Sequence, residues 1–350
     1  MERKLTKKIR VGDIFIGGKS PITIQSMTNT DTRDIKATVD QVKKLEESGC
    51  DIVRIAIPDM EAAQAVKTIV EKSTIPIVAD IHFDYRLALE VIKNGVDKLR
   101  INPGNIGDSQ RVIEVVKAAM EREIPIRIGV NGGSLEREIL NKYQGVNAQA
   151  MVESAYNHIR ILEDLNYQQI VISLKASSVP LTIEAYELIS DRCSYPLHVG
   201  ITESGTKFSG TIKSSVGIGG ILSKGIGDTI RVSLTDDPVN EVIVGKEILK
   251  SLNLNNSSSV EIISCPTCGR CQINLIEIAS TIEDRLANIE KPLKVAIMGC
   301  GVNGPGEAKD ADIGIAGGKG QALLFKKGKI IRKIDENNIV TELLSEIDKL

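Results

Sequence analysis

Tryptophan is missing from this 350-residue chain, and aromatic residues make up only 3% of it, so its core must be aliphatic. A basic excess is missing as well. Lys and Arg number 44 against 46 Asp and Glu, a formal net charge of −2. A general nucleic-acid binder replaces phosphate counterions with cations and needs the opposite balance, so no nucleic-acid partner is expected. No apolar run approaches the ~18–20 residues that span a bilayer, which argues against a membrane partner. The opening stretch, MERKLTKKIRVGD, is charged throughout and lacks the apolar centre of a signal peptide. A cytoplasmic protein is therefore expected, one whose six cysteines act as ligands or buried thiols in preference to disulfides.

What is present is ordinary for a globular chain with a sizeable core: 42% hydrophobic and 26% charged residues, at a length that suits one large domain and a smaller one. Short apolar runs rich in β-branched residues recur through the first two-thirds, each followed by a helix-length amphipathic stretch. They begin near Ile22, Asp51, Ile75, Lys98, Pro125, Gln169, Pro196 and Thr229. Between them lie segments such as IKATVDQVKKLEESG, with apolar residues at helical spacing and Gly49 placed to end the helix. Eight such units predict a (β/α)8 TIM barrel over residues 1–254. An open doubly wound sheet is disfavoured, because no G-x-G-x-x-G follows an early strand. The polar stretch SLNLNNSSS ends the barrel pattern, and residues 259–350 read as a smaller C-terminal α/β (α+β) domain.

Side chains alternate across a strand, and the alternation here is unusual. Val53, Ile55 and Ile57 share one face of a strand and Arg54 takes the other. Leu99 and Ile101 oppose Lys98, Arg100 and Asn102, while Ile126, Ile128 and Val130 oppose Arg127, Gly129 and Asn131. Ile170, Ile172 and Leu174 oppose Ser173 and Lys175. Ile230, Val232 and Leu234 oppose Arg231, Ser233 and Thr235. The apolar face can pack on helices, which leaves the polar one aimed at the barrel axis, joined there by Asp80, His82, His198 and Thr202. Barrel interiors are normally layers of Val, Ile and Leu, and unpaired buried charge is costly. Five cations at one depth therefore call for an anionic ligand, and the arginine fork suits phosphate. Structural salt bridges to Asp80 and Glu203 are the plainer alternative.

In the C-terminal part, Cys265-Pro-Thr-Cys268 is a tight turn in which two thiolates can reach one metal. Such a knuckle also occurs in zinc ribbons, but a ribbon expects a second Cys or His pair. Here Cys300 is the only cysteine after Cys271, and no histidine follows His198. Three thiolates plus an oxygen ligand suit a [4Fe–4S] cluster better than a tetrahedral zinc. Glu307, after the loop GCGVNGPG, could supply that oxygen. Cys271 completes C-x-x-C-x-x-C and could be a fourth thiolate. Cys50 and Cys193 read as buried small hydrophobes.

At these residues the chain resembles the bacterial 4-hydroxy-3-methylbut-2-enyl diphosphate synthases of the methylerythritol phosphate route to isoprenoids. The resemblance runs nearly end to end, through QSMTNTDTRD, VRIAIP, ADIHFDYRLAL, LRINPGN, RIGVNGGSL, SLKAS, HVGITESG, RVSLT, SCPTCGR and GCGVNGPGEA. It implies an oxidoreductase with Cys265, Cys268, Cys300 and Glu307 as cluster ligands and Cys271 beside them as a non-ligand. It implies two-electron reductive opening of 2-C-methyl-D-erythritol 2,4-cyclodiphosphate with loss of water. Arg54, Arg100, Arg127, Lys175 and Arg231 match diphosphate-holding positions, and His82, Asn131 and Ser233 match polar contacts. Glu203 matches the proton donor. With no dinucleotide fingerprint in the sequence, electrons are expected from reduced flavodoxin or ferredoxin.

The direction of the chain adds an expectation. Barrel active sites lie at the C-terminal ends of the strands. The helix after the eighth strand returns to the opposite end, and a linker of about six residues spans only about 20 Å. A homodimer is expected, each cluster domain capping the partner's barrel, as the resemblance also implies. Two rival readings are a non-redox barrel enzyme of a phosphorylated or pterin substrate with a structural zinc domain, and a zinc-ribbon interaction module fused to a barrel.

Overall fold

The computed structural model describes residues 2–254, 260–286, 289, 291–302, 308 and 310–350. The chain divides into two compact units, Met1–Asn255 and Asn256–Leu350.

Eight strands of the first unit form one all-parallel sheet: β3 (Thr23–Met27), β4 (Ile52–Ala56), β5 (Ile77–Asp80), β6 (Lys98–Arg100), β7 (Ile126–Asn131), β8 (Ile170–Lys175), β9 (His198–Val199) and β10 (Thr229–Ile230). Their order is β8-β7-β6-β5-β4-β3-β10-β9. A parallel bridge between Ile172 and Leu197, with Ile172 N donating to Pro196 O at 2.9 Å, joins the two ends into a barrel. The helices are α1 (Ile35–Glu47), α2 (Met60–Lys72), α3 (Tyr85–Lys93), α4 (Ser109–Glu121), α5 (Arg137–Tyr143), α6 (Ala148–Glu163), α7 (Val179–Ser190), α8 (Lys207–Leu222) and α9 (Pro238–Ser251). The outward residues Val53, Ile55, Leu99, Ile101, Ile126, Ile128, Ile170 and Ile172 pack on helix faces in one aliphatic core. Truncating any of them to alanine would cost about 2–5 kcal/mol.

Local signals set where each helix and strand begins. Asp34, Asp59, Asp84, Asp108, Asn147, Ser178 and Asp237 are N-caps whose side chains accept a backbone N–H of the first turn. At the opposite end of the barrel, an aspartate just before a strand ties that strand to its neighbour. Asp51 accepts from Ile24 N at 2.7 Å, Asp97 from Ile77 N at 2.8 Å and Asp228 from Leu197 N at 2.9 Å. Each follows a glycine with positive φ, Gly49 (92°), Gly95 (87°) and Gly227 (122°), which turns the chain from helix to strand.

The charged N-terminus holds a hairpin that its composition hides: β1 (Ile9–Val11) pairs antiparallel with β2 (Ile14–Ile16). Ile9, Val11 and Ile16 pack against Ile52, Val78 and Val171, the lowest inward residues of three barrel strands. The barrel floor is thus apolar, and the polar layers begin above it.

The second unit has a five-stranded sheet of β11 (Glu261–Ser264), β12 (Lys294–Met298), β13 (Ile313–Gly318), β14 (Gln321–Lys326) and β15 (Lys329–Asp335), in sequence order. The first three strands are parallel and the last three antiparallel. Helices α10 (Leu275–Leu286) and α11 (Ile339–Ile347) pack through Ile278, Ile282, Leu343 and Ile347 on Val295, Ile297, Ile313 and Ile315.

Candidate active site and metal centre

At the C-terminal ends of the barrel strands an open cavity is lined by Arg54, Asp80, His82, Arg100, Arg127, Gly129, Asn131, Ser173, Lys175, Thr202, Arg231 and Ser233. All eight residues expected to hold the ligand are in this wall. Their convergence follows from strand parity: each occupies an inward position, and the apolar residues between them face helices.

The cations outnumber their partners. Asp80 lies 3.4 Å from Arg100 and 3.8 Å from Arg54, and Arg231 lies 3.3 Å from Glu241. These are the only ion pairs of the five cations among the described residues. Arg127 is 1% exposed, and its Nε and Nη2 have no hydrogen-bond partner among those residues. Burial, then the charges of Arg54 and Arg100, holds its pKa well below the guanidinium range. Burial likewise brings Arg54 down to about 10 and, with Arg231 next, pushes Lys175 well below the usual ammonium value. Burial opposes ionisation of Asp80, but Arg54, Arg100 and Arg127 outweigh it and keep the carboxyl acidic. Burial lowers His82, so its imidazole is neutral at pH 7. A site with this balance is poised for an anion carrying more than one negative charge.

Two glycines make the crowding possible. A Cβ at Gly129 would sit 2.7 Å from Arg100 Nε, and one at Gly200 would sit 2.8 Å from Lys175 Nζ. Arg100 Nη2 donates to Gly129 O at 3.1 Å, and the Asn102 amide bridges the same residue's O and N at 3.0 and 2.9 Å. Glu241 was not singled out from the sequence. It is buried on α9, where it accepts from Ser26 Oγ at 2.9 Å and Leu234 N at 3.0 Å while pairing with Arg231. In sequence it looks like an acidic residue stabilising a helix N-terminus. His158 escaped notice too. It is 3% exposed on α6, accepts from Gly104 N through Nδ1 at 3.2 Å and sits 3.1 Å from Glu136 through Nε2, tying together the loops after β6 and β7.

Glu203 is not in the cavity wall and pairs with none of its cations. It is exposed on the loop after β9 with φ +52°, and its carbonyl accepts from Lys213 Nζ at 3.1 Å. The arginines' carboxylate partners are therefore Asp80, for Arg54 and Arg100, and Glu241, which a helix brings up from behind the strands to Arg231, and not Glu203.

In the second unit, Cys265 directly follows β11 and the buried Cys300 follows β12, so both stand at the same end of adjacent parallel strands. Gly299 N donates to Cys265 Sγ at 3.2 Å. Cys268 is exposed, and hydrogen bonds from Arg270 hold its thiol below the ordinary range. Cys271 lies beside Gly299, and its thiol donates to Ile273 O at 3.3 Å. Glu307 lies outside the described residues. Among the described residues no three Cys, His, Asp or Glu side chains converge closely enough to hold a metal ion. Thiol ligands must lose protons and be drawn together as metal binds, so a ligand set need not be assembled beforehand. Soft sulfur donors from Cys265, Cys268 and Cys300 fit an iron–sulfur group.

The GcpE TIM-barrel domain model matches residues 6–246, and the GcpE protein C-terminal domain model matches residues 261–349. The chain belongs to the GcpE family. It is 64% identical over 350 residues to the 4-hydroxy-3-methylbut-2-en-1-yl diphosphate synthase (flavodoxin) of Ruminiclostridium cellulolyticum, covering 100% of this chain and 99% of that one. The protein of the same name from Geobacter sulfurreducens is 60% identical over 345 residues, covering 99% and 98%. Among solved structures, the sialic acid synthetase of Leptospira borgpetersenii aligns with a TM-score of 0.50 at 12% identity, covering 81% of this chain and 99% of that one. The 3-dehydroquinate dehydratase of Geobacillus kaustophilus aligns with a TM-score of 0.50 at 15% identity, covering 71% and 98%. At such identity these two speak for the barrel fold alone. Membership of GcpE, a family of iron–sulfur oxidoreductases, displaces the pterin-type and zinc-ribbon readings. No helix among the described residues is long and apolar enough to cross a membrane.

Proposed function

We propose that the barrel cavity of this GcpE chain binds 2-C-methyl-D-erythritol 2,4-cyclodiphosphate. The enzyme reduces it to 4-hydroxy-3-methylbut-2-en-1-yl diphosphate in isoprenoid precursor synthesis. Two electrons, supplied by reduced flavodoxin, and one proton enter. A ring C–O bond to the diphosphate breaks, and one hydroxyl leaves as water. The observation that carries this reading is the excess of buried cations in a wall whose two carboxylate partners are already engaged.

Arg54, Arg100, Arg127, Lys175 and Arg231 hold the diphosphate and stabilise the negative charge it gains when the ring opens. His82, Asn131 and Ser233 fix its orientation by hydrogen bonds. Glu203, on the loop above the cavity, delivers a proton. Cys265, Cys268, Cys300 and Glu307 are the ligands of a [4Fe–4S] cluster, with Cys271 a neighbour outside the set. Such a cluster, when bound, supplies electrons together with a Lewis-acidic iron. Reaction in the cytoplasm by a homodimer, each cluster domain serving the partner's barrel, completes the proposal. Lys246 on α9 donates to Ser48 O at the closed end of the barrel, so α9 runs away from the mouth.

Anaerobically purified protein with reduced flavodoxin is expected to convert the cyclic diphosphate to the open product, followed by phosphorus NMR. A colourless zinc protein, or iron- and sulfide-loaded protein that gives no conversion, would refute the reading. Mixing a Cys300→Ser subunit with an Arg127→Ala subunit tests the dimer: activity absent from both homodimers is expected to return in part. No recovery in confirmed heterodimers would exclude site sharing.

A further inference from the structure

Below the arginines of the cavity wall, β6 carries a cation that the reaction as described does not use. Lys98 lies two residues before Arg100 on the same inward parity, in register with Val78 of the apolar floor. It is 0% exposed, and its Nζ has no hydrogen-bond partner among the described residues. The charged and titratable groups around it are Arg127 on β7 and Arg54 on β4, with Asp97 just before β6. His198 on β9 and Lys175 on β8 adjoin the same group, and His198 Nε2 also lacks a partner among the described residues. An ammonium confined here, with cations above it and no acceptor, is unfavourable. Burial, then Arg127 and Arg54, pushes the amine down to about 7, against the pull of Asp97.

We propose that Lys98 is a charge-compensating residue of the cavity: its buried amine is neutral in the ligand-free protein and takes up a proton from solvent when the cyclic diphosphate binds above it. This rests on the cavity being the cyclic-diphosphate site. The ligand brings two negative charges, one on each phosphorus, which turn the field at Nζ from repulsive to attractive. It cannot supply or absorb the proton itself, because a ring phosphate lacks the second ionisation near pH 6 that a phosphate monoester has. The proton stays on Lys98 and offsets the further negative charge that the diphosphate gains when the ring C–O bond breaks. Lys98 therefore acts through the arginines and is a positioning residue for charge, not a catalytic one.

The test is titration calorimetry of the iron-loaded enzyme, without reductant, with 2-C-methyl-D-erythritol 2,4-cyclodiphosphate at pH 8. Running it in Tris and in HEPES, whose ionisation enthalpies differ, counts the protons taken up. Wild type is expected to take up roughly half a proton or more per site beyond Lys98→Met, since an amine titrating near 7 is about nine-tenths neutral at this pH. Lys98→Arg, which stays charged, is expected to lack the same uptake. Equal uptake in wild type and the variants overturns the proposal while leaving the cavity assignment standing. No binding by wild type overturns both. Should neither variant fold, Lys98→Gln replaces them with the same expected loss of uptake, and zero uptake by wild type between pH 7 and 9 overturns the proposal.

Discussion

Replacing Arg127 with methionine is expected to stabilise the ligand-free protein and, at the same stroke, abolish its response to substrate. Arg127 is among the largest fully buried side chains, and two of its nitrogens have no partner among the described residues. Its neighbour Arg54 sets the scale. A fall from 12.5 to about 10 corresponds to about 3 kcal/mol of unfavourable charge in the folded state, at ~1.36 kcal/mol for each pH unit. Methionine forfeits the attraction to Asp80 and fills less space, so a net gain of about 2 kcal/mol is expected, within the range seen when buried charges give way to apolar residues. In a domain of this size that raises Tm by about 4–8 °C. Cyclic diphosphate at 100 times Kd stabilises wild type by ~2.7 kcal/mol. Loss of two charge-assisted hydrogen bonds, at ~1.5–3 kcal/mol each, weakens binding about 100-fold or more, and the same concentration then stabilises the variant by about 0.4 kcal/mol at most. Thermal melts with and without the cyclic diphosphate, under anaerobic conditions, read both effects. A ligand-free variant that melts several degrees below wild type and still responds to ligand would refute the reasoning.

Gly129→Ala places a Cβ 2.7 Å from Arg100 Nε and displaces that side chain, so the Kd of the cyclic diphosphate is expected to rise about 10-fold with Tm changed by a few degrees at most. His158→Phe keeps ring volume but removes the ties to Gly104 and Glu136. KM is expected to rise about 10-fold with kcat within about threefold, and steady-state kinetics showing the reverse split would count against the tether. Cys300→Ser is expected to lose bound iron and sulfide, measured on anaerobically isolated protein, with little change in far-UV circular dichroism. Stability carries a pH signature of Lys98. Its folded-state value of about 7 lies below 10.5, so the unfolded chain binds more protons between those limits. The penalty is fully present below pH 7 and fades as pH rises. Urea unfolding is expected to show wild type gaining about 2 kcal/mol on Lys98→Met between pH 7 and 9, and parallel curves would contradict it.

Much of this site is written in the sequence because a strand imposes a period of two. Once VRIAI, KLRIN, RIGVN and ISLK are read as strands buried on their apolar side, Arg54, Arg100, Arg127 and Lys175 have one direction left to face. The thiols are equally legible, since C-x-x-C is a local turn and Cys300 ends a recognisable strand. Depth was a different matter. Lys98 and Arg100 share a strand and a parity, but one is sealed beneath the cavity and the other lines it, because the barrel's stagger and the N-terminal hairpin set where the floor lies. Partnership was hidden too: Glu241 meets Arg231 through a helix packed behind the strands, while Glu203, nearer in sequence to the cavity residues, stays outside the wall. Short-range periodicity is a property of the chain and survives in its letters. Which charges are left without partners is a sum over segments far apart in sequence, and only the closed barrel performs it.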